Sequence, residues 1–362
     1  MGKLKANYHT HTTYCDGSDA AEAVVKEALR KGFTHLGFSG HMDPGVSMDY
    51  AAYAQEICRL QADRDQIDIV RGAELDNVYD PSCVAGAEYT IGSTHFVPVP
   101  GSSVWSTPAA FGTHREGYEN WDLIGVDGDI ALLHDQCKQY YGGDFYALSA
   151  DYYRFEALVA ARLHPSFIGH FDLITRFNDL SRADGGHFLD ETRERYLLPA
   201  RRAMEALVPY GLPFEINCGA VNRGRKRELY PRPELLRYLH ALGGEIVISA
   251  DAHQKELLEG GFEEAMEVAH WAGFTHTNLL VRQPAQASTK LHDTAAIQNG
   301  AVASMIALLN AKIGSSSFSR CSGIFLISVS RPTQRNDFFL FMFSNNSCLF
   351  ILVCFYKFLF LE

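Results

Sequence analysis

Short apolar or β-branched runs that end in polar residues recur along the chain. They are LKANYHTH (4–11), THLGFSGH (34–41), IDIVRGAEL (67–75), EYTIGSTH (88–95), SFIGHFD (166–172), LPFEINC (212–218) and EIVISADAH (245–253), and each predicts a strand. Between several of them the apolar positions switch to a helical period. Asp19 is placed to cap a first helix whose Ala23, Val24, Ala28 and Leu29 share one face, with Gly32 ending it. A second helix spans about 187–209 ahead of Gly211, a third runs from Pro231 to Gly243 and Gly244, and a fourth covers 256–271 before Gly273. Repeated strand–helix units predict a parallel sheet. Seven strands in succession predict a closed or nearly closed β/α barrel, with a doubly wound open sheet as the alternative. The stretch 96–126, rich in Gly, Pro, Ser and aromatic residues, reads as a long insertion beside a site.

The pattern changes near the C-terminus. The barrel is complete by about residue 284, so 1–284 is expected to be one domain and 285–362 an atypical extension, strongly apolar from about 315. Residues 338–361 are long enough to cross a bilayer, but Ser344, Asn345, Asn346 and Ser347 interrupt them. A tail anchor, an exposed aggregation-prone segment and translation from a shifted reading frame compete as explanations, and the abrupt change in composition favours the last.

Composition narrows the function classes. With 47% hydrophobic residues in 362 there is ample core material, so no disulfide framework is needed. The eight cysteines form no C-x-x-C pair, and scattered thiols suit a reducing compartment. The N-terminus MGKLKANYHTH lacks the apolar stretch of a signal peptide, which points to the cytoplasm. A net charge of -11 argues against nucleic acid as a partner.

The chemistry collects at the strand ends. His9, His11 and Asp16 follow the first strand, and side chains two apart on a strand face the same way. The other strand ends contribute His41, Glu74, His95, His170, Asp251 and His253. In a β/α barrel the strand C-termini share one rim. Nine imidazole and carboxylate donors there suit Zn, Mn or Fe, and are enough for two or three ions if Glu74 bridges. A multinuclear site acidifies water and neutralises phosphoryl oxygens, which makes a phosphate ester the natural substrate. Arg162, before the fifth strand, and the NRGRKR run (222–227), after the sixth, are placed to seat the phosphate; Arg223 is preferred and Arg225 second. His114, in the insertion, is a possible substrate contact. The other histidines read as packing or surface residues.

The segments YHTHTTYCDG, GFSGH, GAELD, IGSTH, GHFDL, FEINCG and SADAH, in this order, resemble the polymerase-and-histidinol-phosphatase (PHP) superfamily, and within it the histidinol-phosphatase branch. The resemblance implies a distorted (β/α)7 barrel with a trinuclear centre. One ion would lie between His9, His11, Glu74 and Asp251. A second would share Glu74 and add His95 and His170. A third would take Asp16, His41 and His253. It also implies that Arg162 and Arg223 grip the phosphate, and His41 is counted with them among the catalytic residues. The run NCGAVNRGRKRELYP departs from the family's usual form after strand six, which leaves the arginine register open by a residue or two. The expected reaction is hydrolysis of L-histidinol phosphate to L-histidinol and phosphate in histidine biosynthesis. The alternatives are a phosphoesterase of the same fold acting on another small ester or a nucleotide, and a metal-binding scaffold without activity. No membrane partner is expected unless the tail is an anchor.

Overall fold

The computed structural model describes residues 5–46, 48–63, 66–109 and 122–280, and the backbone of 324–330, 336–344 and 347–351. It divides into two compact units, Met1–Pro284 and Ala285–Glu362.

The first unit is built on parallel strands. In chain order they are β1 (Ala6–Asn7), β2 (His35–Phe38), β3 (His41–Met42), β4 (Asp68–Asp76) and β5 (Tyr89–Ser93). After an antiparallel pair, β6 (Phe96–Pro98) with β7 (Leu123–Gly125), come β8 (Phe167–Ile168), β9 (Phe214–Asn217) and β10 (Ile246–Ser249). The sheet order is β1-β2-β4-β5-β8-β9-β10, with β3 paired to β4 beyond the end of β2. All of these pairings are parallel. A parallel bridge between Thr10 and Ala252 joins the two ends of the sheet. There the His11 amide donates to the Ala252 carbonyl and the Ala252 amide to that of His9. The seven predicted strands are thus the seven staves of a nearly closed barrel, and the open-sheet alternative fails on that bridge. Several staves are shorter than the sequence suggested, because residues such as 8–11 continue as irregular extended chain to carry side chains onto the rim.

Helices α1 (Ala21–Arg30), α2 (Tyr50–Ala62), α3 (Ile130–Tyr141), α4 (Phe145–Glu156), α5 (Val159–Leu163), α6 (Glu194–Leu207), α7 (Gly219–Asn222), α8 (Pro233–Ala241) and α9 (Phe262–Ala272) connect the strands. Asp19 does not cap α1. Ala20 holds that position, and the Asp19 carboxylate instead accepts from the backbone and side chain of Lys255. Helices α2 to α5 were not among the predicted ones. In α4 the apolar and aromatic residues Leu148, Tyr152, Tyr153 and Phe155 are buried together with Ser149 and Glu156, so no clean polar face marks its period. The stretch 96–126, read as a loop, contains β6 and β7; residues 110–121 with His114 lie outside the described chain.

Strand alternation divides the barrel interior into two levels. On β4, Val70 and Glu74 lie an even number of residues apart, as do Tyr89, Ile91 and Ser93 on β5 and Val247 and Ser249 on β10. The lower members form an apolar floor of Tyr8, Val70, Tyr89, Ile91, Phe167 and Val247. The Tyr89 hydroxyl donates to the Tyr8 carbonyl (2.6 Å), tying β5 to the chain after β1. The upper members are polar and open onto the rim. A larger core between the sheet and the helices includes Leu36, Phe38, Leu75, Phe171 and Phe214.

In the second unit, strands β11 (Ile324–Ser330), β12 (Asn336–Ser344) and β13 (Ser347–Ile351) form an antiparallel sheet. Among the described residues no helix is long and apolar enough to cross a membrane.

Phe167 is fully buried in the floor beneath the rim. Phe167→Ala should cost about 3–5 kcal/mol of stability in urea unfolding. A loss below about 1 kcal/mol would mean that the floor is not packed as described.

Candidate metal centre and its cleft

Register brings the first donors together. His41 on β3 pairs directly with Glu74 on β4, and Asp76 on β4 with Ser93 on β5. The Glu74 carboxylate is buried and faces five imidazoles. Oε2 lies 3.0 Å from His9 Nε2, 3.0 Å from His41 Nδ1 and 3.5 Å from His11 Nε2. Oε1 lies 2.7 Å from His170 Nε2 and 3.2 Å from His95 Nε2, and accepts from Ser93 Oγ at 2.8 Å.

Asp251 and Asp16 anchor the other side. Asp251 Oδ1 lies 3.2 Å from His11 Nε2 and 3.4 Å from His253 Nδ1. Asp16 Oδ2 lies 3.1 Å from His253 Nε2, and Oδ1 is 3.7 Å from both His11 and His41. The His11 ring is stacked between those of His41 and His253, with centroids 4.3 and 4.1 Å away. Asp251 holds a left-handed backbone (φ 46), a conformation a non-glycine residue rarely keeps without a structural reason. Gly219 lies against it: a Cβ there would sit 2.4 Å from Asp251 Oδ2.

The donors form three groups with mutually close ligand atoms: His9, His11 and Asp251; His41, Glu74 and His95; and His11, Asp16, His41 and His253. His170 joins through Glu74. All nine residues expected from the sequence therefore lie in one cluster. The grouping overlaps the expected three-ion division, but Glu74 stands only with His41 and His95, His170 stands in no group, and His11 and His41 each stand in two. The residues fit cations. His11 Nε2, His41 Nδ1 and Asp251 Oδ1 are buried donor or acceptor atoms without a hydrogen-bond partner, yet they point at one another's ligand atoms.

Three further carboxylates that the sequence reading passed over contact the imidazoles. Glu215, fully buried on β9, takes His9 Nδ1 at 2.6 Å and accepts from Ser249 Oγ, Asn217 Nδ2 and the His170 amide. Asp76 accepts from the His95 amide at 2.7 Å and lies 3.2 Å from its Nδ1. Asp43 lies 3.1 Å from His41 Nδ1. Glu215 and Asp76 fix ring orientation and leave the far nitrogen for a ligand, whereas Asp43 shares His41 Nδ1 with Glu74. Glu215 and Asp76 were visible as the acids of FEINC and GAELD, each an even number of residues from another inward group.

Electrostatics follow from this packing. Burial opposes charge on His9, His41 and His95, but the surrounding carboxylates outweigh it: all three pKa values are raised, that of His41 to about 10. His11, buried between His253 and His41, is pulled down to about 3. Burial would raise Glu74, yet His9, His41 and His95 hold it well below the usual carboxylate range.

The cluster floors a cleft of about 290 Å³. Arg176, Arg223 and Arg225 line it, with Asp127, Leu173 and Tyr230. Arg223 Nη1 lies 2.6 Å from His253 Nδ1 and donates to the Asp251 carbonyl, while Nη2 lies 3.3 Å from the Asp251 carboxylate. Arg162, expected at the phosphate, is not among the residues lining this cleft. Its half-buried guanidinium donates to the Asn77 carbonyl at 2.8 Å and lies over the Phe155 ring. Arg176, missed in the sequence, follows β8 and reaches the cleft instead.

In the ion-free protein the raised imidazoles keep their protons at neutral pH, so a cation must displace them. Metal affinity should fall by about tenfold per pH unit for each proton displaced as the pH drops from 8 to 6. Titration calorimetry in buffers of different ionisation enthalpy should show proton release on metal uptake; zero release would contradict the protonated cluster.

Comparison with known proteins agrees with this geometry. The protein named probable histidinol-phosphatase of Schizosaccharomyces pombe is 25% identical over 303 residues, 76% of this chain and 89% of that protein. The DNA polymerase/3'-5' exonuclease PolX of Bacillus subtilis is 24% identical over 107 residues, 26% of this chain and 19% of PolX. Among solved structures, the proposed histidinol phosphatase hisK of Listeria monocytogenes aligns with a TM-score of 0.59 at 17% identity, covering 72% of this chain and 99% of its own. The histidinol phosphate phosphatase of Lactococcus lactis, solved with zinc, L-histidinol and phosphate, aligns with a TM-score of 0.50 at 21% identity, covering 75% and 95%. At such identities these two likenesses establish the barrel fold. The sequence profile of the PHP domain matches residues 7–218, more than half of the chain, and the protein belongs to the PHP domain family.

Proposed function

We propose that this chain is a metal-dependent phosphomonoesterase that hydrolyses L-histidinol phosphate to L-histidinol and phosphate. The observation that carries the reading is one cleft in which Arg176, Arg223 and Arg225 face Glu74, His95 and His170. The histidinol-phosphatase name of the fission-yeast relative, matched over most of its length, supports the substrate. Such a biosynthetic role fits the cytoplasm.

Two or three divalent ions, zinc, manganese or iron, would be held by His9, His11, Glu74 and Asp251, by Glu74, His95 and His170, and by Asp16, His41 and His253. Bound there, they supply fixed positive charge and acidified water at neutral pH. The protein's own residues do the rest. Glu215 and Asp76 turn the Nε2 atoms of His9 and His95 toward Glu74. Arg176 and Arg225 present guanidinium groups to the phosphoryl oxygens as these gain charge. Arg223 is largely occupied by Asp251 and His253, so it positions those two while closing one wall. The Tyr230 hydroxyl is buried in the cleft wall without a hydrogen-bond partner, and burial keeps its proton on, so it offers the phosphate a neutral donor.

The reading is tested by loading the purified protein with Mn or Zn and following phosphate release from L-histidinol phosphate beside nucleotides and sugar phosphates. Chelator-sensitive release from histidinol phosphate above the rest of the panel is expected; preference for another ester would refute the substrate. Arg176→Ala and Arg225→Ala should each cost about 10²–10³ in kcat/KM. Arg162→Ala should cost less than about tenfold, because Arg162 does not line the cleft and its Nε donates to the Asn77 carbonyl; a loss as large as that of Arg176→Ala would return it to the cleft.

A further inference from the structure

Histidinol phosphate carries an ammonium group beside the carbon that bears the phosphate ester. The cleft offers Arg176 and Arg225 for the phosphate, but its acids are unevenly committed. Asp16, Glu74 and Asp251 each face imidazoles. Asp127 does not. Among the described residues its carboxylate has no ion pair within 4.0 Å and no hydrogen bond, although it lines the cleft.

The backbone around Asp127 is fixed on both sides. The Val126 amide donates to the His95 carbonyl at 2.9 Å, which ties the end of β7 to a metal-ligand candidate. The Asp127 carbonyl accepts from Arg176 Nε at 2.9 Å. Two residues on, Asp129 caps α3 by accepting from the Leu132 amide. Asp127 therefore does not serve as the helix cap. Asp127 lines the cleft together with His95, Arg225 and Tyr230, and its negative charge acts on all three. A carboxylate held beside phosphate-binding arginines weakens anion binding unless the ligand brings a cation of its own.

We infer that Asp127 is a specificity-determining residue that binds the ammonium group of the substrate and so selects amine-bearing phosphate esters. The inference rests on the substrate reading above. It assigns to one side chain the discrimination between histidinol phosphate and esters without an amine.

The test compares Asp127→Asn with wild type on two esters, L-histidinol phosphate and imidazolylpropyl phosphate, the same ester without its amine. The asparagine keeps the backbone carbonyl used by Arg176, so the amine-free ester also reports correct folding. The variant should lose about 10–100-fold in kcat/KM on histidinol phosphate, mainly through KM, and less than about threefold on the amine-free ester. Asp127→Glu should recover part of the preference. Equal losses on both esters, or no loss on either, would overturn the inference while leaving the substrate standing. Wild type that turns over neither ester would overturn the substrate reading itself, and that is visible before any variant is measured.

Discussion

Glu74 brings a carboxylate to the end of a barrel where its side chain has no exposed surface, and five imidazoles face it there. A carboxylate taken out of water alone would be neutralised or would cost several kcal/mol. Here positive charge must be supplied, either as protons on His9, His41 and His95 or as cations in their place. The rim arrangement follows from that requirement. The strands β3, β4 and β5 bring His41, Glu74 and Ser93 into contact through register, and the Thr10–Ala252 bridge draws His9, His11, Asp251 and His253 to the same point.

The acids behind the histidines make the arrangement specific. Glu215 fixes His9 and receives the His170 amide, so one buried side chain orients groups from two staves. Asp76 does the same for the ring and backbone of His95. The apolar floor of Tyr8, Tyr89, Phe167 and Val247 closes the interior below, so the polar upper level faces only the cleft. Arginines then enter from the segments that leave β8 and β9, and Asp127 lines the same cleft with them.

The barrel and its nine donors were legible because both depend on local pattern. A strand shows as a short apolar run, and a rim residue as the polar group at its end; His41, Glu74 and His95 are of this kind. Asp76 and Glu215 were in quoted motifs but looked like ordinary strand acids, since their meaning lies in rings contributed by other strands. Arg162 and Arg176 show the limit more sharply. Both flank β8 in sequence, and only packing decides that Arg162 is used on Asn77 and Phe155 while Arg176 reaches the cleft. Helix α4 was missed because its aromatic residues are buried together with Ser149 and Glu156, which blurs the period. Asp19 matched a helix cap by position, yet Lys255, far away in sequence, claimed it.

The central claim is that the Glu74 charge holds the ions of this site. The direct measurement is the metal content of Glu74→Gln by elemental analysis, beside wild type, after expression with Mn or Zn. The substitution keeps the shape of the side chain and removes its charge. The account predicts at least one ion fewer per chain than wild type, in a variant whose circular dichroism still reports the folded barrel. A folded variant with the wild-type complement of ions would contradict it.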